Sequence, residues 1–213
     1  MALQKGDFVE INYSGKISET GLLFDTTSEQ EARQSNSYDP NAKYGAVTIC
    51  IGEGQLLKGL ENFLIGKEPG KYAVKIESVD AFGKKNAKLL QLIAASKFKE
   101  QKVQPMPGLQ VNIDGMYGVV KSSSGGRVVV DFNHPLAGKD LTYEIEVIRI
   151  VNDVIEKLNA LMKFYFKDYK TEFEGGNAKI ALRQEIPIQV SGEISQTIKR
   201  MIPEIKSVEF TKF

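Results

Sequence analysis

Between Val47 and Tyr72 the chain reads VTICIGEGQLLKGLENFLIGKEPGKY, a stretch that commits it to one small architecture. Val47–Ile51 is a short run rich in β-branched residues, stopped by Gly52, Glu53 and Gly54, so it reads as a strand ended by a turn. Leu56, Leu57, Leu60, Phe63 and Leu64 then recur at i, i+1, i+4, i+7 and i+8, the spacing of one helical face, and Gly66 stands where a left-handed cap belongs. Glu68 to Lys71 supply turn chemistry, after which Tyr72, Val74 and Ile76 alternate with Ala73, Lys75 and Glu77 as in a half-buried strand. A helix this short does not hold together alone, because nucleation is costly, so it needs a sheet to lie across.

Strand-like runs on either side supply that sheet. Val9, Ile11 and Tyr13 share one face of Phe8–Ile17; in Leu141–Val151, residues Leu141, Tyr143, Ile145, Val147 and Arg149 share one, with Ile148 and Ile150 on the other. The fold class expected is α+β: an antiparallel sheet wrapped on a short helix. Ahead of the helix, Leu22–Phe24 reads as a second strand ending at Asp25, and the polar segment from Thr26 to Ala46 as a surface bulge with a turn of helix at Glu29–Gln34.

Two further units follow. From Lys84 to Asp131, Leu89 to Phe98 read as mixed helix and loop, and Leu109–Ile113, Gly115–Lys121 and Arg127–Phe132 as three strands, the last two separated by a Ser122–Gly126 loop. Beyond Asn152, one helical face runs from Val154 to Phe166, with Asp153 and Glu156 spaced as a capping box. An alternating Lys179–Arg183, a helix from Ser191 and a closing strand Val208–Phe213 complete an α+β unit. The domains expected are therefore 1–84 with 132–151, an inserted mainly-β domain at 85–131, and a C-terminal α+β domain at 152–213.

Charge excludes more than it suggests. The 213 residues carry 28 basic and 27 acidic side chains, a balance that argues against binding nucleic acid or membrane by bulk electrostatics. With Cys50 the one cysteine and His134 the one histidine, a disulfide framework, a Cys/His zinc site and a Cys-His catalytic pair all lack parts. Cys50 reads as a small strand residue rather than a reactive thiol. The N-terminus lacks an apolar core of signal-peptide length and no segment approaches a membrane span, so the expectation is a cytoplasmic protein.

Four motifs carry a resemblance: NYSGK at Asn12–Lys16, then G-x-x-FD at Gly21–Asp25, IGEGQLLKGLE at Ile51–Glu61 and DAFG at Asp80–Gly83. In that order they resemble the FK-type immunophilins (FKBP), the peptidyl-prolyl cis-trans isomerases that also bind tacrolimus and rapamycin. NHPLAGKDLTYEIEV at Asn133–Val147 resembles the return strand of the SlyD-like branch, in which a second domain interrupts the isomerase. The resemblance implies that Tyr13, Asp25, Phe82 and Leu57 are catalytic, Leu57 through its backbone N–H. It implies that Phe24, Val47, Leu56, Leu60, Leu136 and Tyr143 line the substrate, with Leu60 as floor and Phe24, Val47 and Tyr143 as walls. Taken singly, Tyr13 reads as a strand aromatic and Asp25 as a turn carboxylate; their arrival together with the helix motif favours the site.

Two departures stand out: Leu60 where many members carry tryptophan, and Phe82 where many carry tyrosine. Both imply weak binding of tacrolimus-type ligands. The branch's metal-binding tail has no counterpart in the closing VEFTKF, so neither a metal nor a cofactor is implied.

Two functions follow. One is an isomerase acting on unfolded or partly folded proline-containing polypeptides, with chaperone activity from the insert. The other is a holdase chaperone with little isomerase activity, binding clients through Met106, Leu109, Val111, Met116 and Tyr117. The bland reading of those five is a small domain's own core.

Overall fold

A computed structural model describes residues 1–213. Its central strand is β1 (Phe8–Ile17), which uses both edges. One edge pairs antiparallel along its length with β9 (Leu141–Ile150). The other is divided: β3 (Val47–Cys50) takes Phe8–Ile11, and β2 (Leu23–Thr26) takes Ser14–Lys16. β4 (Gly70–Ile76) adds to the far side of β9. The short helix α2 (Lys58–Leu64) packs against β4, with the Phe63 ring edge-on to Tyr72 at 5.8 Å. Leu60 and Leu64 are its buried residues of the apolar face, and Gly66 takes φ +82° as the left-handed cap requires. Helix α1 (Glu29–Gln34) is capped by Ser28, whose hydroxyl accepts from the Glu31 N–H.

Leu141, Tyr143, Ile145 and Val147 are all buried, as their alternation requires. Arg149 does not share their face. Glu10 pairs with Arg149 and Ile11 with Val147, so Ile148 is an extra residue that shifts the parity of the strand. Arg149 instead reaches Glu10 at 2.7 Å and Glu156 at 2.7 Å.

Past β9, α4 (Val154–Tyr165) begins at Asp153, whose carboxylate accepts the Glu156 N–H at 2.8 Å. The reciprocal half of the expected capping box is absent, because Glu156 is engaged by Arg149. β10 (Tyr169–Glu174), which sequence reading passed over, forms a hairpin with β11 (Asn177–Leu182). Helix α5 (Ile188–Met201) starts three residues earlier than expected, with Pro187 at its N-cap, and crosses to β12 (Ser207–Lys212), which lies parallel to β11.

This C-terminal segment has no core of its own. Leu158, Met162, Ile180, Ile198 and Ile202 are buried together with Phe8, Cys50 and Val151. Residues 1–76 and 141–213 accordingly form one compact unit. Burial, chiefly, pushes the Cys50 thiol up to about 12, which suits its packing role.

The second unit, Glu77–Asp140, extends beyond the expected insert because its two chain passages are joined to each other. The Gly138 N–H donates to Gly83 O at 2.7 Å, the Asn86 N–H to Asn133 Oδ1 at 2.7 Å, and the Ser78 N–H to Asp140 Oδ1 at 3.0 Å. Its sheet runs β5 (Leu90–Ala94), β8 (Arg127–Asp131), β7 (Met116–Ser124), β6 (Gln110–Ile113), with α3 (Ala95–Glu100) following β5. Leu90–Ala94 is thus a strand rather than helix or loop: its partly buried residues, Gln91 and Ile93, alternate at period two. Ser122–Ser124, expected in a loop, continue β7 into a hairpin turned by Gly125 and Gly126, both at positive φ. Phe98, Val120, Val128 and Val130 form the core. No helix of the chain is long and apolar enough to cross a membrane.

Truncating Phe8 to alanine should destabilise the first unit by about 3–5 kcal/mol, read from urea unfolding followed by far-UV circular dichroism. A loss below about 1 kcal/mol would show that the C-terminal helices do not share this core.

Candidate active site

Gly15 is the pivot of the aromatic cluster. On one edge it pairs with Tyr143 of β9, on the other with Asp25 of β2. A bulge on the β2 side sets Gly15 opposite Asp25 and Lys16 opposite Leu23, leaving Phe24 as the extra residue, a device that re-aims a side chain. A Cβ placed on Gly15 would sit 2.8 Å from Phe24 Cζ and 2.9 Å from Tyr143 Cε1, so only glycine admits both rings there. With that space free, Phe24 meets Tyr143 edge-on at 5.9 Å, and Tyr13 tilts against the same ring at 6.1 Å. Gly15 lies within the NYSGK motif but is not among the residues that the resemblance assigns to the site. Its signal was a glycine in mid-strand, which marks a bulge or a close approach.

The polar edge lies beside this cluster. Tyr13 Oη donates to Asp25 Oδ2 at 3.1 Å, and Asp25 is itself exposed. Burial pushes the Tyr13 hydroxyl well above the usual tyrosine range, and the charge and hydrogen bond of Asp25 push it further. Tyr143 is raised too, first by burial and then by the charges of Asp25 and Tyr13. Both hydroxyls, protonated at neutral pH as any tyrosine is, resist ionisation further into the alkaline range, and an aromatic wall carries one carboxylate on its rim.

Val47, half-buried, pairs with Ile11 of β1. Leu56 and Leu57 end the irregular segment before α2, and Leu57 occupies the N-cap of that helix with φ −58° and ψ 140°. Its carbonyl accepts from the Leu60 and Glu61 N–H groups at 2.9 and 3.0 Å, while amide N–H groups at this end of a helix have no intrahelical partner. Leu60, expected as the floor, is 1% exposed and lies on the buried face of α2 with Leu64. Of the residues that the resemblance assigns, Tyr13, Phe24, Asp25 and Tyr143 are joined by direct contacts, and Val47, Leu56, Leu57 and Leu60 lie on the strand, loop and helix of the same unit.

Phe82 and Leu136 belong to the second unit. There Phe82 stacks on His134 with ring centroids 4.3 Å apart and planes 6° apart, and His134 Nδ1 accepts the Leu136 N–H at 3.1 Å. His134 thus touches both.

The five residues expected to bind clients divide. Leu109 and Val111 are half-buried and pack against Phe98, Val120, Val128 and Val130. With Val103 and Ile113 they line a hollow of about 470 Å³. Met106, Met116 and Tyr117 are exposed, Tyr117 at 79%. Leu90 and Leu92, absent from the expected set, are exposed as well, Leu92 at 67%. They alternate with the partly buried Gln91 and Ile93, and Leu92 pairs with Val129 on β8. The face of β5 turned from the core is apolar.

A larger hollow on the first unit, about 770 Å³, has Tyr13, Tyr72 and Ile145 in its wall, but most of its lining is polar, with Asn12, Ser14, Glu31, Lys71, Glu144 and Glu146 around it, which does not suit a proline ring.

An antiparallel sheet over one helix, with tyrosine, carboxylate and phenylalanine gathered at its edge, is the architecture that the four motifs led one to expect. Known proteins agree. The short-type peptidyl-prolyl cis-trans isomerase of Methanocaldococcus jannaschii is 30% identical over 146 residues, covering 68% of this chain and 92% of its own. A probable FKBP-type 16 kDa peptidyl-prolyl cis-trans isomerase of Pseudomonas fluorescens is 34% identical over 142 residues, 64% of this chain and 91% of that protein. The FKBP-type peptidyl-prolyl cis-trans isomerase SlyD of Haemophilus influenzae is 28% identical over 162 residues, covering 74% and 77%. The family model described as FKBP26, IF domain, matches residues 91–136. The chain belongs to the FKBP-type peptidyl-prolyl cis-trans isomerases.

Gly15→Ala should separate the Phe24 and Tyr143 rings and lower kcat/KM for a proline tetrapeptide about tenfold or more, ~1.4 kcal/mol of transition-state stabilisation; an unchanged value would mean that the ring contact is not used.

Alkaline titration offers a second check. A tyrosine held above its unfolded value contributes stability that is intact below the unfolded pKa of about 10 and lost as pH rises beyond it. Ultraviolet difference spectra should therefore show Tyr13 and Tyr143 still protonated near pH 10, where free tyrosine ionises, and unfolding should accompany their ionisation. Tyr13→Phe should remove part of that alkaline loss.

Proposed function

We propose that the chain accelerates cis/trans isomerisation of X–Pro bonds in folding polypeptides, with the Tyr13, Phe24, Asp25 and Tyr143 cluster as its working surface. Rotation about the imide meets a barrier of ~18–20 kcal/mol because the amide loses resonance when twisted. No nucleophile, acid or metal is required to lower it. What is required is a surface that holds the twisted imide better than the planar one. Leu60 floors the proline ring; Phe24, Val47, Leu56 and Tyr143 exclude the water that favours the planar, more polar form. The Leu57 N–H donates to a substrate carbonyl, and Asp25, oriented by the Tyr13 hydroxyl, faces the carbonyl that turns. On the resemblance alone, Phe82 and Leu136 are substrate contacts as well.

The observation that carries this reading is the Tyr13 to Asp25 hydrogen bond beside two rings that meet over a glycine. Protease-coupled isomerisation of a proline tetrapeptide tests it. Wild type should accelerate the slow phase, and Asp25→Ala should lower kcat/KM about tenfold or more, ~1.4 kcal/mol; equal activity in the two proteins would remove Asp25 from the mechanism.

A second reading, a holdase that captures unfolded chains, is supported by the exposed Leu90, Leu92, Met106, Met116 and Tyr117 and by the match of residues 91–136 to an IF-domain family. The two readings combine in one protein. Replacing residues 85–131 by a short loop should leave tetrapeptide turnover and abolish acceleration of refolding of a protein limited by proline isomerisation. Turnover lost with suppression of aggregation retained would make capture the primary activity.

A further inference from the structure

The C-terminal segment beyond Val151 contributes nothing to the aromatic cluster, yet it reaches the loop that leads to Leu57. Arg200, in the last turn of α5, forks onto Glu53 across 147 residues of sequence: Nη1 donates to Oε1 at 2.6 Å and Nη2 to Oε2 at 2.7 Å. This is the bidentate geometry that gives guanidinium and carboxylate their strongest and most directional pairing. Glu53 is only 19% exposed, and its hydrogen bond to Arg200 holds the carboxyl below the usual range.

What Glu53 sits in makes the fork consequential. Residues Ile51 to Leu57 form neither helix nor strand, and Glu53 is flanked by Gly52 at φ +86° and Gly54 at φ +70°, two positions that only glycine takes without strain. The loop is anchored at its start, where the Ile51 N–H donates to Asp7 O at 2.9 Å. It is anchored again near its end, where Gln55 Oε1 accepts the Cys50 N–H at 2.7 Å and the Gln55 N–H reaches Glu61 Oε1 at 3.2 Å. Between those points, Glu53 is tied to a helix whose Ile194, Ile198 and Met201 are buried in the shared core. That helix is a rigid post, and the loop between two flexible glycines is what it braces.

We propose that Arg200 and Glu53 are a positioning pair through which the C-terminal segment fixes the loop from Ile51 to Leu57, and with it the Leu57 amide, for turnover of the X–Pro bond. The proposal rests on the isomerase reading above, and it gives the C-terminal third of the chain a part in the reaction without a residue in contact with substrate.

The experiment compares full-length wild type with Arg200→Ala, Arg200→Lys, Glu53→Gln and the reciprocal Glu53→Arg/Arg200→Glu. Arg200→Ala and Glu53→Gln should each lower kcat for the proline tetrapeptide about fivefold with little change in KM, ~1 kcal/mol. Amide hydrogen exchange between Gly52 and Leu57 should quicken while the melting temperature moves by no more than about 2 °C. Arg200→Lys, which keeps the charge without the fork, should fall between, and the reciprocal pair should recover at least half of the lost kcat. Arg183→Ala, which breaks the exposed pair with Asp168 in the same segment, should change neither reading. Loop exchange unchanged in Arg200→Ala, or no recovery in the reciprocal pair, overturns the proposal. Were wild type itself inactive, the isomerase reading would fall, and the exchange rates would still decide whether the clamp exists.

Discussion

The pairing of β1 with β9 is the constraint on which everything else depends. Its register sets Ile17 against Leu141 and Val9 against Ile150, residues more than a hundred positions apart, so it closes over the whole of the inserted unit. The same register puts Gly15 against Tyr143, and the divided outer edge of β1 puts Gly15 against Asp25. One residue without a side chain is thus flanked by the Tyr143 ring and the Asp25 carboxylate. At the other end of the same strand, Phe8 enters the core shared with α4 and α5. Site and C-terminal segment are therefore organised by opposite ends of one ten-residue strand.

An enzyme that turns an imide needs little chemistry and much exclusion of water, and the two units differ in how they place their apolar residues. The first supplies apolar walls, two tyrosine hydroxyls and a single carboxylate at the rim. The second holds its core with a few valines and one phenylalanine, leaving Leu92 and Tyr117 outside. A small sheet that spends its apolar residues outward has less left for its own stability, and its chain passages compensate with cross-links at Gly83 to Gly138 and Asn86 to Asn133.

Local period made much of this legible. Phe8–Ile17 reads as a strand, Glu29–Gln34 and the Leu56–Leu64 face as short helices, and Asp153 as a cap, because each signal lies within a few residues. What could not be read depends on partners. The bulges at Phe24 and Ile148 are register facts between strands, and the role of Gly15 comes from rings brought in by β2 and β9. Composition marked the insert as rich in apolar residues but not which face each would take: Leu109 and Val111 turn toward the core, while Leu90 and Leu92 turn out. The Arg200 to Glu53 fork has no sequence signature, since neither residue is remarkable until the fold puts them side by side. Of the candidate site, the motifs point to Tyr13, Phe24, Asp25 and Tyr143 together; a glycine in mid-strand marks a close approach without saying which rings make it.

Turnover through this site requires that a proline side chain be held against the aromatic cluster of the first unit. Two-dimensional amide spectra of the full chain, titrated with a short proline peptide, test it most directly. The largest shift changes should fall on Gly15, Phe24, Asp25, Leu57, Leu60 and Tyr143. Changes confined to the polar face around Ser14, Glu144 and Glu146, or to β5 and β7 of the second unit, would contradict it.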